Sequence, residues 1–396
     1  MPPDNPDDFF HAQHELLSQG RFNAANTQLD AMLTAHPGDD RLLHQKMIIL
    51  AQTQGFEQAF AVSLSLSIPF KQQPQVTFQI VAIMQGLRNI DMNPEVEAEI
   101  CRVLTCSGID CTPISELVHL LVQQKIAGAQ LEASPLAACN DCPLIHAVLR
   151  NFQITSPDAE RLCTDVRRQL LYLLQADPES FMDMSDLAVS MAIQGRRNEY
   201  AFHIGTDEGA ILDRLTSRLS DLCAAEGPAT NKALTLLLGA LMYRAPRDLV
   251  AARKMQALCD PDEMPVLAEF IESDLTEQRI LKQYSREFGA NAILTDGTSR
   301  AVARMYTENP YPRWVTPEWN TNTQALPYPE FFSVTRCPGW RPQSDNPYRR
   351  MLVAGCGTGW HPISHALTFP WLEITAIDIS AASLAYARML ADRMDV

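Results

Sequence analysis

Arg350-Met-Leu-Val-Ala-Gly-Cys-Gly-Thr-Gly-Trp360, followed by Trp371-Leu-Glu-Ile-Thr-Ala-Ile-Asp378, is the stretch on which the reading of this chain turns. A short apolar run, Met351 to Ala354, enters a loop with Gly355, Gly357 and Gly359, and a helix-like segment follows. A second apolar run, Ile374 to Ile377, ends on a single carboxylate, 19 residues after Gly359. Strand, glycine turn, helix, strand and acid is the order in which an α/β sheet holds an adenosine-bearing cofactor. A sharp strand-to-helix turn needs backbone conformations that a Cβ resists, so glycine is favoured there. Bare backbone also lets a ligand approach, and the helix N-terminus offers it unpaired N–H groups. Asp378, at the carboxyl end of the second strand, is placed to accept from both hydroxyls of a ribose.

The spacing narrows the cofactor. In the dinucleotide pattern G-x-G-x-x-G the third glycine allows tight helix–strand packing. Counted from Gly355 that position is Trp360, and from Gly357 it is Pro362. The spacing present is G-x-G-x-G, with Cys356 and Thr358 between, which resembles the first motif of class I S-adenosylmethionine (SAM) methyltransferases. The alternatives are a nicotinamide or flavin dinucleotide, or a glycine turn without ligand. Val353 stands where many such enzymes carry Asp or Glu, so the methionine amino group would need another partner.

Further residues carry the resemblance. Tyr306-Thr-Glu-Asn-Pro-Tyr-Pro-Arg-Trp314 and Asp378-Ile-Ser-Ala-Ala-Ser-Leu-Ala-Tyr-Ala387, with Asn198-Glu199-Tyr200, are similar to segments of one group of bacterial proteins. These place tetratricopeptide (TPR) repeats and a long helical region before a class I methyltransferase domain. The resemblance implies S-adenosyl-L-methionine as cofactor, held by Gly355, Cys356, Gly357, Gly359, Asp378 and Ile379. Tyr306, Tyr311, Arg313 and Trp314 would form a lid or wall, since a sulfonium cation is attracted to aromatic faces. A structural linker is the bland reading of that segment, and its Pro-Tyr-Pro order departs from the nitrogen-orienting Asn-Pro-Pro-Tyr motif. The resemblance assigns no catalytic residue and no methyl acceptor, which could be a protein or a small molecule.

With 396 residues the chain suggests two or three domains. A net charge of −15 argues against a general nucleic-acid or anionic-membrane binder. Residues 281–350 differ, with nine Lys/Arg against six Asp/Glu. That is a solvated surface or a basic rim drawing in an anionic substrate. The N-terminus has neither the basic start nor the apolar core of a secretory signal. No apolar run approaches the roughly 18 residues that span a bilayer, so a cytoplasmic location is expected. Ten cysteines are then most simply reduced thiols. Cys139-Asn-Asp-Cys142 has metal or redox spacing but no second pair, and Cys101, Cys106 and Cys111 fit no familiar zinc pattern, so no metal site is expected. In the loop, Cys356 is a small side chain to which no chemistry is given, and His361 reads as a helix-terminal contact ahead of a base.

Near the start, Gly20-Arg-Phe22-Asn-Ala-Ala25 echoes 34 residues later as Gln54-Gly55-Phe56-Glu-Gln-Ala59. That period is the TPR signature, the aromatic filling the groove between paired helices and the alanine letting their backbones approach. From about Pro74 to Asn291 the pattern is helical, with Ala159 to Leu174 and Ala210 to Leu222 showing apolar three- and four-residue steps. Breaks are expected at Asn93-Pro94, Ser156-Pro157, Asp177-Pro178, Gly227-Pro228 and Asp260-Pro261. Leu234 to Tyr243 reads as a buried helix, and Glu199 with Tyr200 as a helix end packed through its tyrosine ahead of an acid/base pair.

The expected fold is therefore mostly α, followed by the start of an α/β Rossmann-like methyltransferase domain that stops after its second strand. TPR-like repeats occupy 1–70, an all-α domain 71–297, and the methyltransferase part 298–396. Only two strands are legible where the resembled fold has about seven, and acceptor residues usually come from the later ones. A gene fragment, a shortened chain or a degenerate enzyme would each give this ending, and the bases after codon 396 would discriminate among them. The competing reading is an interaction protein, with TPR-like helices binding a protein partner and the α/β piece a remnant.

Overall fold

The computed structural model describes residues 6–53, 55–88, 93–106, 108–224, 231–249, 254, 258–288, 297–308, 310, 313–314 and 350–396. Among these the chain is mostly helical, with one two-stranded parallel sheet near its C-terminus. It divides into two compact units, Met1–Arg244 and Ala245–Val396. The division falls at 244/245, whereas the sequence pattern suggested 297/298, because a long helix grouped with the α domain by its periodicity packs instead on the last helix of the chain.

The first unit opens with two helical hairpins: α1 (Pro6–Ser18) with α2 (Phe22–Ala35), then α3 (Asp40–Gln52) with α4 (Phe56–Leu64). Corresponding helices start 34 residues apart, at Pro6 and Asp40 and at Phe22 and Phe56. Gly20, at φ 69°, turns the first hairpin. Ala25 and Ala59 are fully buried, as close helix approach requires, and Phe9, Leu29, Leu42 and Ile49 share a core with Ala25. Phe22 and Phe56 are only half-buried. Phe56 lies against Gly86, at the end of α5 (Pro74–Gln85), where an added Cβ would stand 2.4 Å from its ring. Phe22→Ala is accordingly expected to cost about 1.5–2.5 kcal/mol, below the ~3–5 of a fully buried ring. A chemical melt of the full chain checks it, and no measurable change would remove Phe22 from the hairpin's packing.

The following helices are α6 (Pro94–Thr105), α7 (Ser115–Ala129), α8 (Pro143–Asn151), α9 (Pro157–Ala176), α10 (Ser185–Arg197), α11 (Thr206–Ala224) and α12 (Asn231–Leu241). Asn93-Pro94 and Ser156-Pro157 start α6 and α9, Asp177-Pro178 starts a short helix, Pro178–Asp183, and Asp260-Pro261 lies in a turn. Asn93 accepts from the Val96 N–H at 3.0 Å to cap α6, and Asp177 accepts from Glu179 and Ser180 to cap a short turn after α9. Gly227-Pro228 lies outside the described residues. Leu237, Leu238 and Leu241 of α12 are completely buried.

After α10 the chain takes two successive left-handed residues, Glu199 (φ 57°) and Tyr200 (φ 58°), which is uncommon for residues with a Cβ. The Tyr200 N–H donates to the Gly195 carbonyl at 2.7 Å, and its ring lies over Gly195, where a Cβ would come within 3.1 Å of it. Arg167 donates to the His203 carbonyl just beyond, at 2.7 Å. This is a helix end packed through its tyrosine. The Cys139–Cys142 pair lies on free thiols, Cys139 buried and Cys142 half-buried with its Sγ 3.9 Å from a Glu97 carboxylate oxygen. Burial pushes the Cys139 thiol up to about 11.

The second unit contains α13 (Pro265–Phe288), α14 (Gly297–Glu308), β1 (Arg350–Ala354), α15 (Trp360–Thr368), β2 (Glu373–Ile377) and α16 (Ala381–Met394). β1 and β2 pair in parallel with Leu352 opposite Thr375 and Ala354 opposite Ile377. Alternate residues on each strand are half-buried, and the others, Leu352 and Ile377 among them, are exposed. α13 and α14 pack on α16, and α15 packs on β2. The core joining them is Trp314, Ile363, Tyr386, Met389 and Leu390.

Candidate functional site

The stretch from β1 to α15 turns on three glycines with positive φ: Gly355 at 68°, Gly357 at 54° and Gly359 at 85°. A residue with a Cβ resists that region, so alternation of glycine with Cys356 and Thr358 is what the backbone path requires. The Gly355 and Cys356 N–H groups donate to the Ile377 carbonyl at 2.8 and 3.1 Å, tying the loop to the end of β2. Gly359 has a second reason to be glycine: a Cβ there would stand 2.5 Å from the Ala387 Cβ and 3.0 Å from its Cα. Gly355 is the opposite case: among the described residues nothing lies within 4 Å of an added Cβ. The loop is thus closed against α16 at one end and open at the other.

Asp378 stands beside the loop. One carboxylate oxygen accepts from the Gly357 N–H and the other from the Ser380 N–H, both at 2.8 Å. Each oxygen retains a further lone pair, so the carboxylate can still accept from two hydroxyls. Ser380 accepts from the Ser383 N–H at 3.1 Å and caps α16. Ile379 is exposed next to the acid, an apolar surface against which a ring could lie. Cys356 is buried; burial first, then the Asp378 charge, pushes its thiol up to about 11, which disfavours the thiolate.

Of the residues assigned to a lid, two lie behind the loop. Trp314 is buried, its indole N–H donating to the Thr358 carbonyl at 3.0 Å and its own carbonyl accepting from the Tyr386 hydroxyl at 2.9 Å. Arg313 pairs with Glu277 of α13 at 3.6 Å and lies 5.9 Å from the centroid of the Tyr386 ring. These two residues buttress the loop from the α16 side. Tyr306 is half-buried on α14, and Tyr311 lies outside the described residues. Glu277 escaped the sequence reading, and Tyr386 and Ala387 entered it only as part of the Asp378–Ala387 segment, without a role; nothing in their local spacing distinguishes them from surface and core residues of ordinary helices. A concavity along α13, bordered by Arg279, Lys282 and Arg286, contains no loop residue.

No family model matches the chain, and no solved structure matches it. Over 114 residues it is 36% identical to an uncharacterized protein, syc1184_c, of Synechococcus sp.. The match covers 28% of this chain and 26% of that protein, so the chain spans about a quarter of the length of the curated relative it matches. Among the described residues no helix is long and apolar enough to cross a membrane.

Proposed function

We propose that the second unit is the cofactor-binding part of a class I SAM-dependent methyltransferase, acting in the cytoplasm, and that the helical unit binds the acceptor or a protein partner. The observation that carries the reading is the set of three alternating left-handed glycines between β1 and α15, beside the carboxylate that ends β2. Gly355 offers bare backbone with space over it among the described residues, as a nucleoside cofactor needs. Asp378 retains capacity for a ribose diol, and Ile379 presents an apolar surface for a purine. When bound, SAM supplies an already activated methyl group. The chain's own part is to hold the donor, orient it and exclude water, while Trp314 and Tyr386 keep the loop in place.

Calorimetry of the full chain with SAM, and separately with NAD, tests this. SAM is expected to bind in preference to NAD, and Asp378→Ala to weaken it by about 1.5–3 kcal/mol, the range for hydrogen bonds to a charged group. Unchanged affinity in the variant would remove Asp378 from the site, and preference for NAD would overturn the assignment. The second reading, an interaction protein with a remnant α/β piece, draws on the two hairpins offset by 34 residues and the exposed Leu352 and Ile377. A stable chain that binds neither nucleotide would favour it.

A further inference from the structure

We propose that the outward face of α13 is an anion site that takes the oligophosphate group of a small molecule. Arg279, Lys282 and Arg286 fall on successive turns of α13, and all three are exposed. At about 100° of rotation per residue they lie, with Leu275, within about 60° of one another. Ile280, Leu281 and Tyr284, which pack against the core of the second unit, lie on the opposite side of the helix. The cations therefore face away from that core, along a concavity of about 560 Å3. That volume falls in the range of small-molecule sites, about 300–1,000 Å3.

The charges on this face are not balanced from within. The chain has 47 Asp and Glu against 32 Lys and Arg, yet among the described residues none of the three cations enters an ion pair. No carboxylate stands three or four residues from any of them, where a helix would bring it alongside. The spacings of three and four instead set like charges side by side, and these repel. Glu287, the acid that borders the concavity, accepts from the Gln283 Nε2 at 2.9 Å. An anion from outside would relieve the repulsion. Two of the cations are arginines, whose planar forks meet phosphate oxygens two at a time, and the lysine adds a point charge. From Arg279 to Arg286 the stripe runs about 10 Å, so these long side chains can converge on two or three linked phosphates. A stable protein partner would need about 1,000 Å2 around an apolar centre, and this stripe has Leu275 as its apolar member. The site does not depend on the methyltransferase reading, since SAM carries no phosphate.

The bland account of the same face is a solvated row of charges, which binds nothing saturably. Calorimetry of the full chain with sodium tripolyphosphate, at a salt concentration of about 0.15 M, distinguishes the two, with citrate as a polyanion that lacks phosphate. Tripolyphosphate is expected to saturate one site and citrate to bind at least about tenfold more weakly. Arg279→Gln and Arg286→Gln should each weaken tripolyphosphate about tenfold, as loss of a charged hydrogen-bonding partner does. The positions are exposed and glutamine is a good helix former, so the variants should fold, which far-ultraviolet circular dichroism verifies. Arg214→Gln with Arg218→Gln makes twice the charge change of either variant on an exposed face of α11, and affinity should not move. Absence of saturable binding would overturn the proposal. So would equal affinity for citrate, or an equal loss in the α11 variant, since binding would then follow charge alone.

Discussion

Glu208→Ala is expected to destabilise the helical unit by about 3–5 kcal/mol, the range for stripping one partner from a buried charge pair. Glu208, at the start of α11, is 1% exposed and accepts from the Gly205 N–H at 2.8 Å, the Tyr243 hydroxyl at 2.8 Å and the Arg168 Nε at 3.3 Å. Arg167, also 1% exposed, lies 3.8 Å away, with its guanidinium 4.0 Å from the centroid of the Tyr243 ring. Without the carboxylate, Arg167 would remain buried without the acid that faces it, while Arg168 would keep its ion pair with Asp165 at 2.8 Å. For a unit of this size the expected fall in Tm is about 6–20 °C. A loss below about 1 kcal/mol would mean that water reaches Arg167 readily.

The same group gives a pH signature. Burial pushes the Glu208 carboxyl up, but its three hydrogen bonds and the Arg167 charge together outweigh it and hold it below the usual carboxylate range. A group depressed in the folded state contributes stability that is present above its unfolded value, near 4.3. That contribution is lost as the pH falls through the folded value. The parent chain should therefore lose more stability than Glu208→Gln between about pH 4.5 and the acid limit. Parallel slopes for the two proteins in that window would contradict the assignment.

What could be read in the sequence was local. The proline starts of α6 and α9, the Asp177 cap and the glycine loop follow from backbone conformations that only certain residues adopt, and these are written residue by residue. Ala25 and Ala59 were legible because close helix approach at a fixed period needs a small side chain. The position of α13 was not. It meets α16 directly where Tyr284 donates to Asp392, and indirectly where Glu277 pairs with Arg313 beside the Tyr386 ring, contacts made across 108 and 36 residues of chain. Trp314 was ambiguous for another reason. An indole reads equally well as a wall over a ligand or as core, and only the bond to the Thr358 carbonyl distinguishes the two.

Gly359→Val is expected to disrupt the second unit, whereas Gly355→Ala should leave it folded. Both glycines have positive φ, which costs a residue with a Cβ about 1–2 kcal/mol. At Gly359 a side chain also meets Ala387, and the obstruction includes backbone: 2.5 Å to the Cβ and 3.0 Å to the Cα of α16. Relief requires α16 to move from the loop, breaking the contacts of Ile363 and Tyr386 that close the core. Overpacking of that kind adds about 1–3 kcal/mol, and valine exceeds the single Cβ already in conflict. The sum, about 2–5 kcal/mol, should appear as fast amide exchange across β1, α15 and α16 with the helical unit unaffected. At Gly355 the added methyl meets none of the described residues, so the conformational cost is the one expected and amide protection should persist. The two variants then separate the two uses of glycine in one loop. Gly359 is required for packing, and Gly355 leaves bare the backbone that a ligand would approach. A Gly355→Ala chain that keeps its protection but loses SAM affinity would tie the open end of the loop to the cofactor. One that keeps both would mean that the cofactor, if bound, does not lie against Gly355, and the reading of this turn as a nucleotide cradle would fail.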